Sequence, residues 1–245
     1  MSGEALGPIE PVLADPRELP DELVGLAGAL EDVQALHGRV SRPRPPREGS
    51  RRAAVLIMIG EDELDLTFTE RSETMRKHPG QISFPGGALD AGESAVQAAL
   101  REAHEEIGLA PSRAKVLGQL PPAHVAASAF DVKGIVATWD GQAQDAITPI
   151  NPAEVAAIHR YPIRDLADPA HRLTAEIPSG YRGPAFVMDE IFIWGFTAHL
   201  VDCVLDLGGW QRPWDHDRVA PVPRRFLRDR AGGPKRDWKG PTVGR

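Results

Sequence analysis

The chain has 245 residues, a formal net charge of −7, 42% hydrophobic and 26% charged residues, which is length enough to bury one core. Its 24 glycines and 23 prolines indicate generous loops short of low-complexity disorder, and one cysteine, Cys203, excludes an internal disulfide framework or a cysteine-rich metal site. No apolar run nears the ~20 residues that span a bilayer, and the opening Met-Ser-Gly-Glu-Ala-Leu lacks the basic and apolar regions of a signal, so a cytoplasmic protein with no membrane partner is expected.

Residues 1–50 form an N-terminal extension. A helix is predicted from about Asp21 to Leu36, with Leu23, Leu26, Leu30 and Val33 along one face. The run Arg42-Pro43-Arg44-Pro45-Pro46-Arg47 cannot continue it and serves as a linker. The main domain covers 51–210. Ala53 to Ile59 is a short buried strand, Gly60-Glu61-Asp62-Glu63 a turn, and Leu64 to Thr69 an alternating strand, which together make a hairpin.

After the Pro85-Gly86-Gly87 turn, Val96, Ala99, Leu100, Ala103 and Ile107 recur at helical spacing. Ser94 and Gln97 make a capping box, and Gly108 stands where a C-terminal glycine belongs. Lys115 to Leu120, Ile135 to Trp139, Val155 to Tyr161 and Phe186 to Phe192 are predicted strands. Ile163 to Ala167 is a short helix and Trp194 to Leu207 a closing one. The stripe Phe196, Leu200, Val204 and Leu207 on that last helix suits a core or the seam of a homodimer. Helices and strands interleave, so the class is α/β or α+β.

Residues 211–245 are different in charge. They carry +6, which leaves −13 on the first 210 residues. An acidic body argues against nucleic-acid binding. The basic end, broken by Pro213, Pro221, Pro223, Pro234 and Pro241, is expected to be a solvated tail wrapping the body.

Glu102, Glu105 and Glu106 stand at i, i+3 and i+4 on the central helix, hence on one face. That face lies roughly 100° from the apolar stripe, so it is expected to be exposed beside the buried seam. At 4 Å a like-charge pair costs about 1 kcal/mol in water and about 4 kcal/mol at a half-buried site. A divalent cation removes that repulsion, and hard oxygen ligands suit Mg²⁺ or Mn²⁺.

The surrounding pattern reads Gly87, five residues, Glu93, seven residues, Arg101-Glu102, two residues, Glu105-Glu106, one residue, Gly108 and apolar Leu109. It resembles the Nudix box of the Nudix hydrolases at every fixed position. The resemblance implies an α/β/α sandwich with a mixed β-sheet and glutamates that hold divalent metal against a diphosphate. It gives Glu102, Glu105 and Glu106 as metal ligands, with Glu105, Glu106, Arg101 and Glu93 as the catalytic set. Within that set Glu93 and Arg101 shape the loop and brace the ligands. Gly86 and Gly87 belong to the substrate-binding turn, where glycine permits close backbone approach.

Upstream stands the stretch from Thr69 to Gly87, with Arg71-Ser72, Arg76, His78-Pro79-Gly80-Gln81 and Phe84-Pro85-Gly86-Gly87. It is similar to the motif of the coenzyme A diphosphatase branch of that family. The resemblance implies cleavage of coenzyme A or its derivatives to 3′,5′-ADP and 4′-phosphopantetheine, with Arg71 and Arg76 binding substrate. Arg71, Arg76, Lys77 and His78 place positive charge on the approach to an acidic site, and guanidinium groups pair well with phosphate. Other family substrates (ADP-ribose, a dinucleotide, a nucleoside triphosphate) and a domain that binds nucleotides without hydrolysing them are the rival readings. His78, His124, His159, His171 and His199 show no metal-ligand spacing. Glu154 is a candidate general base from outside the box.

Overall fold

The computed structural model describes residues 9–31, 36, 49–76, 78–125, 128–140, 147–178, 180–189 and 191–227. One strand organises it. In β2 (Arg51–Gly60) Ala54, Leu56 and Met58 are buried on one face, and Ile57 and Ile59 on the other. Burial on both faces marks a central strand. It pairs in parallel with β8 (Phe130–Trp139) along its whole length. On its other edge it meets two partners. Near its end it pairs antiparallel with β3 (Asp65–Arg71), and at its start with β5 (Gly86–Ala88).

The sheet therefore splays. β3 leaves β2 to pair with β4 (Ile82–Ser83) and with β9 (Val155–Pro162), the latter with a register shift between Glu70 and Arg71. On the far side β8 carries β6 (Ala114–Gln119) and β7 (Ala123–Val125), and β1 (Val12–Leu13) runs parallel to β6. Nine strands of the described residues make this mixed sheet.

Helices cover both faces. α2 (Ala95–Ile107) lays Ala98, Ala99, Leu100, Ala103 and Ile107 on the Ala54–Leu56–Met58 face. α1 (Asp21–Glu31) and α4 (Gly195–Leu207) cover the Ile57–Ile59 face, with Leu23, Leu26, Leu30, Leu200 and Val204 in one cluster. The result is the expected α/β/α sandwich. A short α3 (Ile163–Leu166) follows β9. A second sheet of β10 (Arg172–Glu176), β11 (Arg182–Met188), β12 (Ile191–Ile193) and β13 (Val219–Pro221) is ordered β12-β11-β10-β13.

Two expectations change. The strand predicted over Phe186 to Phe192 is a hairpin, β11 and β12, turning at Asp189 with φ 49°. The segment from 211 onward is not a solvated tail as far as Leu227. β13 pairs in parallel with β10, and Phe226, in a 3₁₀ turn at Arg224–Leu227, is buried against Phe192. The N-terminal helix is part of the core, and Leu30 packs so closely on β6 that a Cβ at Gly118 would lie 2.8 Å from it. Leu200, Val204 and Leu207 of the α4 stripe are also core residues, with Phe196 packed against them. Val33, the 42–47 linker and residues beyond 227 lie outside the described residues. Among the described residues no helix is long and apolar enough to cross a membrane.

Candidate active site

The site is built on α2. Ser94 accepts the Gln97 N–H at 3.2 Å while the Gln97 side chain accepts the Ser94 N–H at 3.0 Å, so the predicted capping box starts the helix. Gly108, at φ 73°, ends it in the left-handed conformation. Between these caps the three glutamates meet different surroundings. Glu105 is half exposed, the Glu102 side chain is mostly covered, and Glu106 is buried at 9% exposure. The expectation that all three stand exposed beside the seam is therefore wrong for Glu106. Gly86, at the start of β5, brings its main chain over this part of the helix and donates its N–H to Glu106 Oε2 at 3.3 Å.

Both glycines of the turn are needed for this approach. A Cβ at Gly86 would sit 2.3 Å from the Ala54 carbonyl oxygen, and one at Gly87 would sit 2.3 Å from Glu102 Oε1. The first contact is to backbone, so Gly86 closes the sheet. The second is to a carboxylate, so Gly87 makes room for the acid cluster.

Arg101 organises the charges. Its Nε and Nη2 donate to the two oxygens of Glu93 at 2.9 and 3.1 Å, and Nη2 also donates to the Ala88 carbonyl at 3.0 Å. Its Nη1 donates to Glu102 Oε1 at 3.0 Å and to Glu105 Oε2 at 3.1 Å. Glu93 is held below the usual carboxylate range by Arg101, helped by the Asp90 N–H, and Arg101 is shifted up chiefly by Glu93.

Desolvation dominates deeper in. Burial raises Glu102 despite Arg101. Burial pushes Glu106 up to about 7, with Glu102 and Glu154 adding to the rise and the Gly86 N–H and Arg71 opposing it. Arg71, at the end of β3, is half-buried, and its Nε is buried without a hydrogen-bond partner. Glu154 is exposed on the turn before β9, which is fixed to the site by the Ser72 N–H donating to the Glu154 carbonyl at 2.8 Å. Arg76 is exposed on the turn after β3, and Lys77 lies outside the described residues.

The donor chemistry fits a hard divalent cation, because Glu102, Glu105 and Glu106 supply carboxylate oxygens from one helix face and burial makes the charge of Glu102 and Glu106 costly without a counterion. Among the described residues no three His, Cys, Asp or Glu side chains are gathered tightly enough to hold an ion as they stand; Arg101 bridges Glu102 and Glu105 instead. The histidines take other partners. His124 is paired with Asp131 at 2.8 Å and His159 with Glu70 at 3.0 Å. The contributions missed in the sequence are main-chain ones, the Gly86 N–H and the Ala88 carbonyl, which carry no residue-type signal.

The chain is similar to known proteins. A family model described as NUDIX domain matches residues 49–179. A relative from Enterobacter sp. (strain 638), named Uncharacterized Nudix hydrolase NudL, is 34% identical over 179 residues, spanning 68% of this chain and 89% of its own length. A relative of the same name from Escherichia coli (strain K12) is 33% identical over 175 residues, with 68% and 89% covered. A solved structure, the Nudix hydrolase RenU of M. smegmatis, aligns at 21% identity over 49% of this chain and 74% of its own, with a TM-score of 0.41.

Proposed function

The chain belongs to the Nudix hydrolases, enzymes that use divalent metal to hydrolyse nucleoside diphosphate-linked substrates, and we propose that its own substrate is coenzyme A or a coenzyme A derivative, cleaved to 3′,5′-ADP and 4′-phosphopantetheine. The observation that carries the reading is Arg71. Its Nε is buried without a partner, and its charge is felt by Glu106. A guanidinium held there, with donors to spare, suits a phosphate oxygen. The Arg71–Gly87 motif adds the choice of coenzyme A among diphosphates.

Glu102, Glu105 and Glu106 would hold Mg²⁺ or Mn²⁺, which when bound neutralises the diphosphate oxygens and lowers the pKa of water. Arg101 ties Glu102 and Glu105 together, and Glu93 keeps Arg101 in place. Arg71 pairs with the diphosphate, and Arg76 reaches the substrate from the neighbouring turn. Water attacks one phosphorus and the P–O bond of the bridge breaks. Glu154, whose charge raises Glu106 slightly, is the proposed base that takes the proton released by that water. The test is a panel of diphosphates with either metal, products resolved by chromatography. Coenzyme A should give the highest kcat/KM; equal or better turnover of ADP-ribose would remove the substrate assignment.

A further inference from the structure

The ribbon that carries Arg71 has a second side. Strand alternation sends Glu70 to the face opposite Arg71, and there the β3–β9 edge and the β11–β12 hairpin line a half-open cavity of about 250 Å³. Its lower walls come from β9, where His159 is bonded to Glu70 at 3.0 Å and its ring lies within 8° of parallel to Tyr161. Its upper walls come from Phe192 and Phe226, whose rings are stacked at 6.3 Å and 16°. Arg225 lies over the Phe226 ring at 4.5 Å, and Asp189 is exposed at the rim.

Arg225 and Phe226 fall outside the matched domain, 49–179. They are nevertheless tied to the ribbon, since the Gln81 side chain donates to the Phe226 carbonyl at 2.9 Å. The ribbon in turn is closed by the Arg71 N–H to the Gln81 carbonyl and the Gly80 N–H to the Arg71 carbonyl, both at 3.0 Å. The cavity and the acid cluster thus flank the same short ribbon.

We propose that this cavity receives the nucleobase of the substrate, with Arg225 and Phe226 as the wall that selects it. The proposal rests on the reading of the substrate as a nucleoside diphosphate derivative. Three features argue for a flat, uncharged heteroaromatic group. The volume is below the ~300–1,000 Å³ that a whole drug-sized ligand occupies, so part of a coenzyme enters. Glu70 and Asp189 outnumber Arg225, which disfavours a phosphate or carboxylate. Aromatic side chains from β9 and from the Phe192–Phe226 pair line it, and both acceptors (Glu70, Asp189) and donors (Arg225, Tyr161) are present, as a base edge requires. Burial, with Asp189 and Glu70 nearby, pushes Tyr161 up to about 12, so its hydroxyl stays a donor.

The test is calorimetric titration of the full chain, without metal, with adenosine and separately with 4′-phosphopantetheine. Wild type is compared with Phe226→Leu, which keeps apolar volume and removes the ring, and with the half-buried Arg225→Ala, each checked by thermal melting. Adenosine should bind wild type and bind roughly ten- to a hundredfold more weakly to both variants, with 4′-phosphopantetheine unaffected. No adenosine binding, equal affinity in folded variants, or weakening of 4′-phosphopantetheine instead would overturn the proposal. If Phe226→Leu does not fold, Arg225→Ala decides. Adenosine binding lost in the variants while coenzyme A goes uncleaved would keep the base site and remove the coenzyme A reading. Cleavage of coenzyme A with KM unmoved by either variant would do the reverse.

Discussion

The main-chain N–H of Gly86 donates to the carboxylate of Glu106, which joins the start of β5 to the buried side of α2. The neighbouring glycine does something different, since its missing Cβ leaves room for Glu102. Two alanine substitutions one residue apart should therefore fail differently. Gly86→Ala forces a Cβ into the Ala54 carbonyl and should destabilise the fold by about 1–3 kcal/mol. Gly87→Ala meets only the end of a side chain, so it should stay folded while displacing Glu102, with turnover down by roughly 10². Melting temperatures and initial rates on both variants separate the two roles.

Arg101 is the second prediction. It satisfies Glu93, Glu102, Glu105 and the Ala88 carbonyl at once. Arg101→Ala should cost about 1–3 kcal/mol of stability. Arg101→Lys should recover little, because an ammonium cannot reproduce the planar fork. Full recovery by lysine in a denaturant titration would show that charge alone matters there.

Arg71 should act on binding. Arg71→Ala is expected to raise KM for coenzyme A more than it lowers kcat, as follows when a contact made equally in ground and transition states is lost. Steady-state kinetics with KM unchanged would leave Arg71 without a phosphate partner.

A pH-dependent contribution to stability is expected from His199. Burial lowers it from its ordinary 6.5, and its Nδ1 has no hydrogen-bond partner. Its folded pKa lies below its unfolded one, so the unfolded chain takes up the proton first. Stability from this group is therefore full above about 6.5 and falls as pH drops toward the lowered folded value. His199→Gln should lose melting temperature less steeply than wild type on acidification below 6.5. Parallel curves for the two proteins would contradict it.

How much of this was legible follows from where each signal resides. The caps and apolar stripe of α2 are local, set by Ser94, Gln97, Gly108 and a 3.6-residue period, and they survive intact. The burial of Glu106 is not local. It depends on a glycine turn twenty residues upstream folding over the helix, which the phase of a single helix does not report. The hairpin at Asp189 was hidden because a non-glycine residue takes the positive φ, at 49°, with no Asn-Gly or Gly-Gly signal. β10 was hidden because it opens on Arg172, a charge that marks exposure in sequence. Here it is fully buried, ion-paired with Asp202 and covered by the rings of Phe186 and Trp214. The fold of 211–227 depends on β10 in turn, so a composition read as a tail concealed a strand and the buried Phe226.

The central claim is that the α2 carboxylates carry the hydrolysis of coenzyme A, and Glu106→Gln tests it most directly. Glutamine keeps the volume and an oxygen to accept the Gly86 N–H. The native carboxyl is raised from 4.5 to about 7 by burial, so its charge costs stability as pH rises through that range. Without metal at pH 8 the variant should melt level with wild type or higher. The measurement is the initial rate of coenzyme A hydrolysis by wild type and variant at that pH with Mg²⁺ or Mn²⁺. The account predicts a loss of about 10²–10³ in kcat; a folded variant that turns coenzyme A over at the wild-type rate would contradict it.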